Sequence, residues 1–274
     1  MSYQFIKMQG LGNDFILFDN LKSGGQQMVL SPEKARMLCD RRFGIGADGV
    51  LTLEPPSDPG SADIAWDFYN PDGSVAEMCG NASRCVALYA CEKGLWPEGS
   101  NALRLETRAG IKLLEMRQGG CGNSVSVRVD MGIASVGERL SIEGYDWQVV
   151  SVGNPHAVTF MDALPREFET SPVTTIGPLV ERDEAFLHKT NVEFAQVIDE
   201  RRIAMRVWER GAGETMACAT GACAVAVAAH AKGLAGDEVC VELPGGELMI
   251  EVCEDFRVFM SGPAEVVFEG TIEL

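Results

Sequence analysis

Cys79 and Cys218 are the residues of this sequence whose placement most favours chemistry. Each follows a polar stretch that contains glycine, each begins a segment of helical character, and about half of the chain separates them. The N–H groups and the dipole at a helix N-terminus stabilise a thiolate, so we expect the pKa of both thiols to be lowered. The alternative is that both are small buried core residues, as most cysteines are.

Two facing thiols of this kind predict acid–base chemistry at a carbon atom. One thiol can remove a proton from one face while the other delivers a proton to the opposite face, provided that their pKa values lie near the working pH. Neither helix start has a neighbouring capping hydroxyl, so a substrate carboxylate could partner its N–H groups. The flanking segments hold side chains that can bind a zwitterion, namely Asn81, Arg84, Glu209, Arg210 and Thr220.

A metal site and a cysteine hydrolase fit these cysteines less well. The second cysteine of each helix, Cys85 or Cys223, lies about 240° or 140° round the helix from the first, so neither pair shares a face for a metal. A hydrolase needs a histidine base, and His156 is the histidine that could reach a site from the start of an apolar strand. One histidine for two equivalent cysteines fits a hydrolase poorly.

Composition narrows the remaining classes. Forty acidic residues against 23 basic residues give a formal charge of −17, which disfavours nucleic acids and anionic membrane surfaces. No apolar run reaches the roughly 18 residues of a membrane span, and residues 1–14 lack the pattern of a signal peptide. Nine irregularly spaced cysteines indicate thiols in a reducing cytoplasm rather than a disulfide framework. The further cysteines are interpreted as core residues: Cys39, Cys85, Cys91, Cys121, Cys223, Cys240 and Cys253.

Turn and capping residues predict the elements that position the two thiols. Ser31-Pro32-Glu33 predicts a helix start, with Gly44 just beyond the end of that helix. Glycines end the two cysteine-bearing helices, predicted at about 79–93 and 218–232, and a short helix is expected after Ser171-Pro172. Alternating or apolar runs predict strands at 62–69, 124–129, 239–243 and 247–252. The fingerprint Gly44-Ile-Gly46-Ala-Asp-Gly49 lies between a helix and a strand, so it is interpreted as a turn rather than as a dinucleotide site.

The helix that begins at Cys218 has no polar face for three turns, and a helix that is apolar all round is buried all round. Strand-like segments flank it on both sides in sequence. The simplest architecture is therefore a sheet curled about a central helix. The weaker repeat of the pattern around Cys79 predicts two similar halves.

Seven motifs in order make the chain resemble the diaminopimelate epimerase family, from Phe5 to Leu274. The motifs are Gly10-Leu-Gly-Asn13-Asp14-Phe15; Asp40-Arg41 with Gly44-Ile-Gly-Ala-Asp48; Asn70-Pro-Asp-Gly-Ser before Met78-Cys79-Gly80-Asn81; Gly153-Asn154-Pro155-His156; Thr190-Asn191-Val-Glu-Phe194; Glu209-Arg210-Gly-Ala-Gly-Glu-Thr215 before Ala217-Cys218-Ala-Thr220-Gly221; and Ser261-Gly262-Pro263-Ala264.

The resemblance implies an α+β fold of two pseudo-symmetric domains, each a mixed curled β-sheet around a central helix. The first domain would comprise residues 1–118 plus 263–274 and carry Cys79, and the second would comprise residues 119–262 and carry Cys218. The implied reaction interconverts LL- and meso-diaminopimelate, for lysine and peptidoglycan precursors, without pyridoxal phosphate, metal or nucleotide. A homodimer is also implied.

The resemblance also assigns roles to individual residues. Cys79 would be the base toward the LL isomer and Cys218 the base toward the meso isomer. His156 and Glu209 match positions that tune the two cysteines. Substrate contacts would come from Asn13, Asn70, Gly80, Asn81, Asn154, Asn191, Glu209, Arg210, Ala219 and Thr220.

Four positions depart from the family pattern. Ala82 and Ala219 stand where members usually have glycine, Gly49 stands where some place a substrate-contacting glutamine, and Phe268 stands where some have a tyrosine at the dimer contact. Two rival functions remain open at this point: an epimerase of proline or hydroxyproline, and a redox-responsive or binding protein that uses its paired thiols. The asparagines and Arg210 disfavour a small cyclic substrate, because such a substrate has no distal head group.

Overall fold

A computed structural model describes residues 1–21, 26–117 and 126–274, and these form two compact units. Unit 1 comprises Met1–Val129 with Gly262–Leu274, and unit 2 comprises Asp130–Ser261. The predicted domain boundary at Gln118 and the cysteine at position 121 lie outside the described residues, as do the first two residues of the strand predicted at 124–129. Among the residues described, no helix is long and apolar enough to cross a membrane.

Unit 1 is a mixed sheet with two helices. Its strands pair in the order β17–β1–β2–β3–β4–β5–β6–β7, with β2–β3 and β4–β5 parallel and the other pairs antiparallel. The elements are β1 (Ser2–Gly10), β2 (Asn13–Asp19), α1 (Pro32–Cys39), β3 (Gly49–Glu54), β4 (Ile64–Tyr69), α2 (Gly80–Glu92), β5 (Ala102–Thr107), β6 (Gly110–Arg117), β7 (Ser126–Ile133) and β17 (Glu265–Glu273). Helix α2 contacts β1, β2 and β17 near one end of this order and β6 near the other, so the sheet curls around it.

Unit 2 repeats this pattern of pairing. Its order is β8–β9–β10–β11–β12–β14–β15–β16, with β10–β11 and β12–β14 parallel and the other pairs antiparallel. The elements are β8 (Ser135–Ile142), β9 (Tyr145–Ser151), β10 (Pro155–Phe160), α3 (Val173–Glu181), β11 (Asn191–Asp199), β12 (Arg202–Glu209), β13 (Gly213–Glu214), α4 (Ala219–Ala231), β14 (Glu238–Leu243), β15 (Gly246–Val252) and β16 (Arg257–Pro263). Each unit thus places its central helix between an antiparallel hairpin and the next parallel strand, which confirms the two similar halves.

Helix α4 is buried all round, as its composition predicts. Every side chain from Ala222 to Ala229 is at most 1% exposed, and the helix contacts seven strands of its unit. Glycines follow both central helices with positive φ, at Gly94 (69°) and Gly233 (66°), because an L side chain resists this left-handed conformation.

The start of α1 is confirmed and its expected end is wrong. The Ser31 hydroxyl accepts from the N–H of Lys34 at 3.3 Å, and Pro32 opens the helix. The helix stops at Cys39, because the Asp40 carboxylate accepts from the N–H groups of Arg42 and Phe43 and fixes a turn there. Gly44 serves a different purpose: a Cβ at this position would lie 2.0 Å from the carbonyl oxygen of Met37.

Two further expectations need correction. Cys91 and Cys253 are exposed rather than buried in a core, because Cys91 lies in the last turn of α2 and Cys253 directly follows β15, each just before a surface turn. Tyr69 at the end of β4 is 9% exposed and packs in a cluster with Phe18 and Val50. Strand β4 is therefore covered on both faces near its end, where the chain leads toward Cys79.

Candidate active site

Both leading cysteines are N-cap residues of the central helices. Cys79 precedes α2 and Cys218 precedes α4, each with extended backbone angles. Cys79 is half-buried, whereas Cys218 is 6% exposed. The Cys218 sulfur accepts from the N–H of Gly221 at 3.4 Å and lies 3.6 Å from Thr220 Oγ1. The sequence prediction of a cysteine at each helix start is confirmed.

The expected lowering of the Cys218 pKa is wrong. Burial raises the pKa of this thiol well above its usual value, and negative charge on the nearby carboxyl groups of Glu209 and Glu193 would raise it further. The Thr220 hydroxyl and the Gly221 N–H stabilise the thiolate but do not outweigh these effects. Cys218 is therefore a thiol at neutral pH, which suits a proton donor.

Glu209 lies at the end of β12 beside this thiol. Its carboxyl accepts from the hydroxyl of Thr215 and is hydrogen-bonded to Cys218. Burial raises the Glu209 pKa, against the lowering effect of these two hydrogen bonds. The carboxyl group is placed to exchange a proton with the sulfur.

One face of the β10–β11–β12 sheet carries this site. His156 pairs with Asn191 and Val158 with Glu193 in parallel register, so His156 and Glu193 point to the same side, toward α4. The opposite face holds Phe194 and Trp208, which pack with the residues of α3. The sheet thus separates an apolar layer from a polar one beneath the start of α4.

Glu193 is a residue that the sequence analysis did not select. Its side chain and that of His156 are fully buried, and Oε1 lies 2.6 Å from His156 Nδ1. The available signal was a single acidic residue inside the apolar stretch Asn191–Val197 of β11, where an unpaired carboxylate would be costly. Burial raises the pKa of Glu193, although His156 opposes this effect.

Asn154 and Thr220 connect His156 to Cys218. Asn154 accepts at Oδ1 from His156 Nε2 at 2.9 Å, and it donates through Nδ2 to Thr220 Oγ1 at 3.2 Å. Asn154 is therefore more than a turn residue before a proline. The structure brings together five of the predicted residues of unit 2: Asn154, His156, Glu209, Cys218 and Thr220.

Asn191 and Arg210 form a second pair in unit 2. The Asn191 amide donates to the carbonyl oxygen of Pro155 at 2.9 Å and accepts from the N–H of Arg210 at 2.9 Å. The exposed guanidinium of Arg210 donates to the carbonyl oxygen of His188 at 3.3 Å. Asn191 thus fixes the loop that presents Arg210.

In unit 1, Asn13 and Asn81 are hydrogen-bonded to each other. Asn81 Nδ2 donates to Asn13 Oδ1 at 2.9 Å, and its own Oδ1 accepts from Arg84 at 2.9 Å. Asn13 Nδ2 donates to Asp48 at 2.9 Å, so charged groups hold both amides. The fully buried Arg84 also donates to the carbonyl oxygen of Pro263, and it fits because position 10 is glycine: a Cβ there would lie 2.7 Å from its Nη2.

The other predicted residues of unit 1 lie apart from this amide pair or follow the cysteine directly. Asn70 directly follows β4 and donates to Ser74 Oγ at 3.0 Å. Gly80 begins α2 as Ala219 begins α4, and both are buried. In the described parts of the chain, no three His, Cys, Asp or Glu side chains gather as potential metal ligands.

Gly49 is closely packed. A Cβ at this position would lie 2.5 Å from the ring of Phe68 and 3.3 Å from the ring of Phe15. The centroids of these two rings lie 5.9 Å apart and their planes meet at 76°, which is an edge-to-face contact. A side chain at position 49 would therefore require Phe68 to move, which accounts for glycine there.

The chain is similar in sequence to proteins of known family. The sequence model described as diaminopimelate epimerase matches residues 5–136 and 148–267. Proteins named diaminopimelate epimerase are 46% identical in Pelotomaculum thermopropionicum, with 97% of each chain covered, and 43% identical in Desulfitobacterium hafniense, with 98% of each chain covered.

Solved structures share the fold at low sequence identity. A probable proline racemase from Agrobacterium radiobacter K84 has a TM-score of 0.77 at 18% identity, covering 99% of this chain and 93% of its own. A phenazine biosynthesis protein of the PhzF family from Bacillus anthracis has a TM-score of 0.74 at 14% identity, with both chains fully covered. At these identities the likeness concerns the fold alone.

Asp14, which follows Asn13 in the chain, gives a prediction about stability in acid. Burial raises the pKa of Asp14, but hydrogen bonds from Arg41, Lys7 and Asp48 outweigh it and lower that pKa to about 2. A carboxyl whose pKa is lowered on folding stabilises the fold at pH values above its pKa in the unfolded chain, which is about 4. This stabilisation is lost as the pH falls through 2. We expect Asp14→Asn to lower the free energy of unfolding by about 2 kcal/mol at pH 7.

The measurement is urea denaturation of the parent and of Asp14→Asn at several pH values. The difference between them should shrink as the pH falls from about 4 to about 2, because the parent carboxyl then takes up its proton. Asp146→Asn, at an exposed position, controls for loss of one charge. A difference that stays constant across this range would contradict the assignment.

Proposed function

The chain belongs to the diaminopimelate epimerase family, and we propose that Cys79 and Cys218 are the two acid–base groups of its reaction. The enzyme is an isomerase that interconverts LL-2,6-diaminopimelate and meso-diaminopimelate, in the biosynthesis of lysine and peptidoglycan precursors. The observation that carries the proposal is the equivalent place of the two cysteines, each the N-cap of the central helix in a unit of the same strand order.

Two thiols provide both proton transfers. In the conversion of the LL isomer to the meso isomer, the Cys79 thiolate takes the α-proton and the electron pair of the C–H bond stays on the carbon. The Cys218 thiol then delivers its proton to the opposite face. The reverse reaction exchanges these roles. Because the two sulfurs supply base and acid, we propose that the reaction runs without an added cofactor.

The resting state of Cys218 supports this division of work. Burial keeps it a thiol at neutral pH, as the proton donor in the LL-to-meso direction must be. When Cys218 acts as the base that deprotonates the meso isomer, the adjacent Glu209 first accepts the proton of its thiol. Glu209 is suited to this exchange because its raised pKa makes it a better proton acceptor than an exposed carboxyl.

The helix starts stabilise the charge that develops on the substrate. Removal of the α-proton places negative charge on the carbon and its carboxylate, and the N–H groups of a first helical turn have no partner within the helix. We propose that Gly80 and Asn81 of α2, with Ala219 and Thr220 of α4, bind this carboxylate. A methyl group at position 219 leaves the backbone N–H available.

The remaining polar residues are proposed to hold the distal amino-acid group. A second ammonium and carboxylate need several fixed partners, which the amides of Asn13, Asn70, Asn154 and Asn191 can supply. Arg210 can bind a carboxylate through two N–H groups, and its exposed guanidinium is presented on a loop that Asn191 fixes. These groups favour a long substrate with two charged ends.

We propose the cytoplasm as the place of action. The cysteines that the structure describes carry thiols rather than disulfides, as is usual in a reducing compartment. The substrate is a small molecule, and neither a nucleic acid nor a membrane is a proposed partner, since the formal charge of −17 opposes both surfaces.

The two cysteines can be tested by single substitutions. Cys79→Ser and Cys218→Ser should each reduce kcat for the LL-to-meso reaction by at least about 100-fold, because a hydroxyl ionises far less readily than a thiol. The assay is chiral chromatography of diaminopimelate isomers. Cys91→Ser on α2 and Cys253→Ser in unit 2 are matched controls at exposed cysteines and should keep the parent rate. Full activity in either of the first two variants would contradict the two-base proposal.

We further propose a homodimer with Phe268 at its contact. Phe268 is 47% exposed on β17, beside the exposed Val266 and Val267, and its ring packs against that of Phe5 at 5.9 Å. Burial of this apolar strip in a partner would stabilise a dimer. Sedimentation velocity should give a dimer for the parent and a shift to monomer for Phe268→Glu. A monomeric parent, or an unchanged dimer in the variant, would contradict this contact.

A further inference from the structure

A continuous chain of polar contacts joins a fully buried glutamate to the sulfur of Cys218. It runs from Glu193 Oε1 to His156 Nδ1 (2.6 Å), and from His156 Nε2 to Asn154 Oδ1 (2.9 Å). It continues from Asn154 Nδ2 to Thr220 Oγ1 (3.2 Å), and from Thr220 Oγ1 to Cys218 Sγ (3.6 Å). The reaction as proposed above uses the far end of this chain and gives no role to its beginning.

The direction of the chain follows from its donors and acceptors. An amide oxygen only accepts, so the hydrogen between His156 and Asn154 belongs to His156 Nε2. The Asn154 amide nitrogen then donates to Thr220, whose own hydrogen is free to point at the sulfur. A second proton is shared between His156 Nδ1 and Glu193 Oε1, which keeps this buried pair neutral.

The surroundings of Glu193 support the neutral pair. Its Oε2 is buried and has no hydrogen-bond partner among the residues described, which would be costly for a carboxylate ion. Glu193 also lies against the start of α4, since a Cβ at Gly221 would lie 3.0 Å from Oε1 and 3.3 Å from the Cys218 sulfur. The groups that face this sulfur are thus Glu209 from β12, Glu193 from β11, and Thr220 with the Gly221 N–H from α4.

We propose that Glu193 is a positioning residue for Cys218, and that its carboxyl fixes the direction of this chain so that the Thr220 hydroxyl donates to the sulfur. Without Glu193, His156 can move its hydrogen to Nδ1, and the Asn154 amide can turn over to donate to Nε2. Thr220 would then donate to the Asn154 oxygen instead of the sulfur. The Cys218 thiolate would lose a hydrogen bond that makes it attainable within the buried site. This inference rests on the proposed role of Cys218 as an acid–base group.

The sign of the effect separates this role from direct electrostatic repulsion. A negative charge on Glu193 would oppose ionisation of Cys218, so its removal by Glu193→Leu would speed reaction of the thiolate. Loss of the Thr220 hydrogen bond would slow that reaction, by about tenfold at a pH below the thiol pKa. If Glu193 were only structural, neither the direction of the change in rate nor its dependence on the Thr220 hydroxyl would be defined.

The experiment measures the rate of alkylation of Cys218 by iodoacetamide against pH, read from the Cys218 peptide by mass spectrometry. Glu193→Leu and Thr220→Val should each slow alkylation about tenfold at a given pH and move the profile upward, and the double variant should be no slower than either. Thr220→Ser, which keeps the hydroxyl, and Glu193→Gln, which can still donate to His156 Nδ1, should stay within about twofold of the parent.

Faster alkylation in Glu193→Leu, or multiplied effects in the double variant, would overturn the inference. Circular dichroism identifies any variant that fails to fold. If Glu193→Leu does not fold, the comparison of Thr220→Val with Thr220→Ser still tests the role of the hydroxyl. If the parent does not epimerise diaminopimelate, the proposed function fails. If the parent epimerises but Glu193→Leu and Thr220→Val alkylate as the parent does, only the role of Glu193 fails.

Discussion

The first turn of a helix inside a curled sheet carries N–H groups without partners in the helix, and this constraint governs both halves of the protein. Helices α2 and α4 each lie inside a curled sheet, and most residues of their first turns are buried, so these N–H groups need protein or ligand groups as partners. A cysteine as N-cap satisfies this need only weakly, as the 3.4 Å contact from the Gly221 N–H to sulfur illustrates. The weak cap leaves both a reactive thiol and N–H donors at one place, and the surrounding strands supply the polar side chains that complete it.

The surroundings of Cys218 decide the protonation of its thiol. Burial at the start of α4 keeps Cys218 protonated, and the carboxyl group of Glu209 from β12 lies beside its sulfur. The helix dipole acts in the opposite direction and is outweighed, because desolvation penalises an ion more than a half-charge at a helix end stabilises it. Cys79 is half-buried whereas Cys218 is buried, so the surroundings of the two thiols differ although the strand orders of the two units are the same.

Features encoded locally could be predicted from the sequence. The caps at Ser31, Cys79 and Cys218 and the glycine ends at Gly94 and Gly233 depend on residues within a few positions of each other, and the apolar circumference of α4 indicates its burial. Features that depend on tertiary neighbours could not. The burial that raises the Cys218 pKa comes from strands packed around α4, so the direction of this shift could not be predicted, and Glu193 reaches the sulfur from a strand position 25 residues earlier in the chain. The exposure of Cys91 and Cys253 likewise depends on which end of a helix or strand faces solvent, and this cannot be predicted from composition.

Isotope incorporation tests the two-base account most directly. LL-diaminopimelate is incubated with the enzyme in heavy water, and the isomers are separated early in the reaction and examined by NMR. The account predicts deuterium at the inverted α-carbon of the meso product and none in the recovered LL substrate, because the thiol that delivers the new hydrogen is not the one that removed the old one. Equal deuterium in recovered substrate and product would indicate a single base and contradict the account.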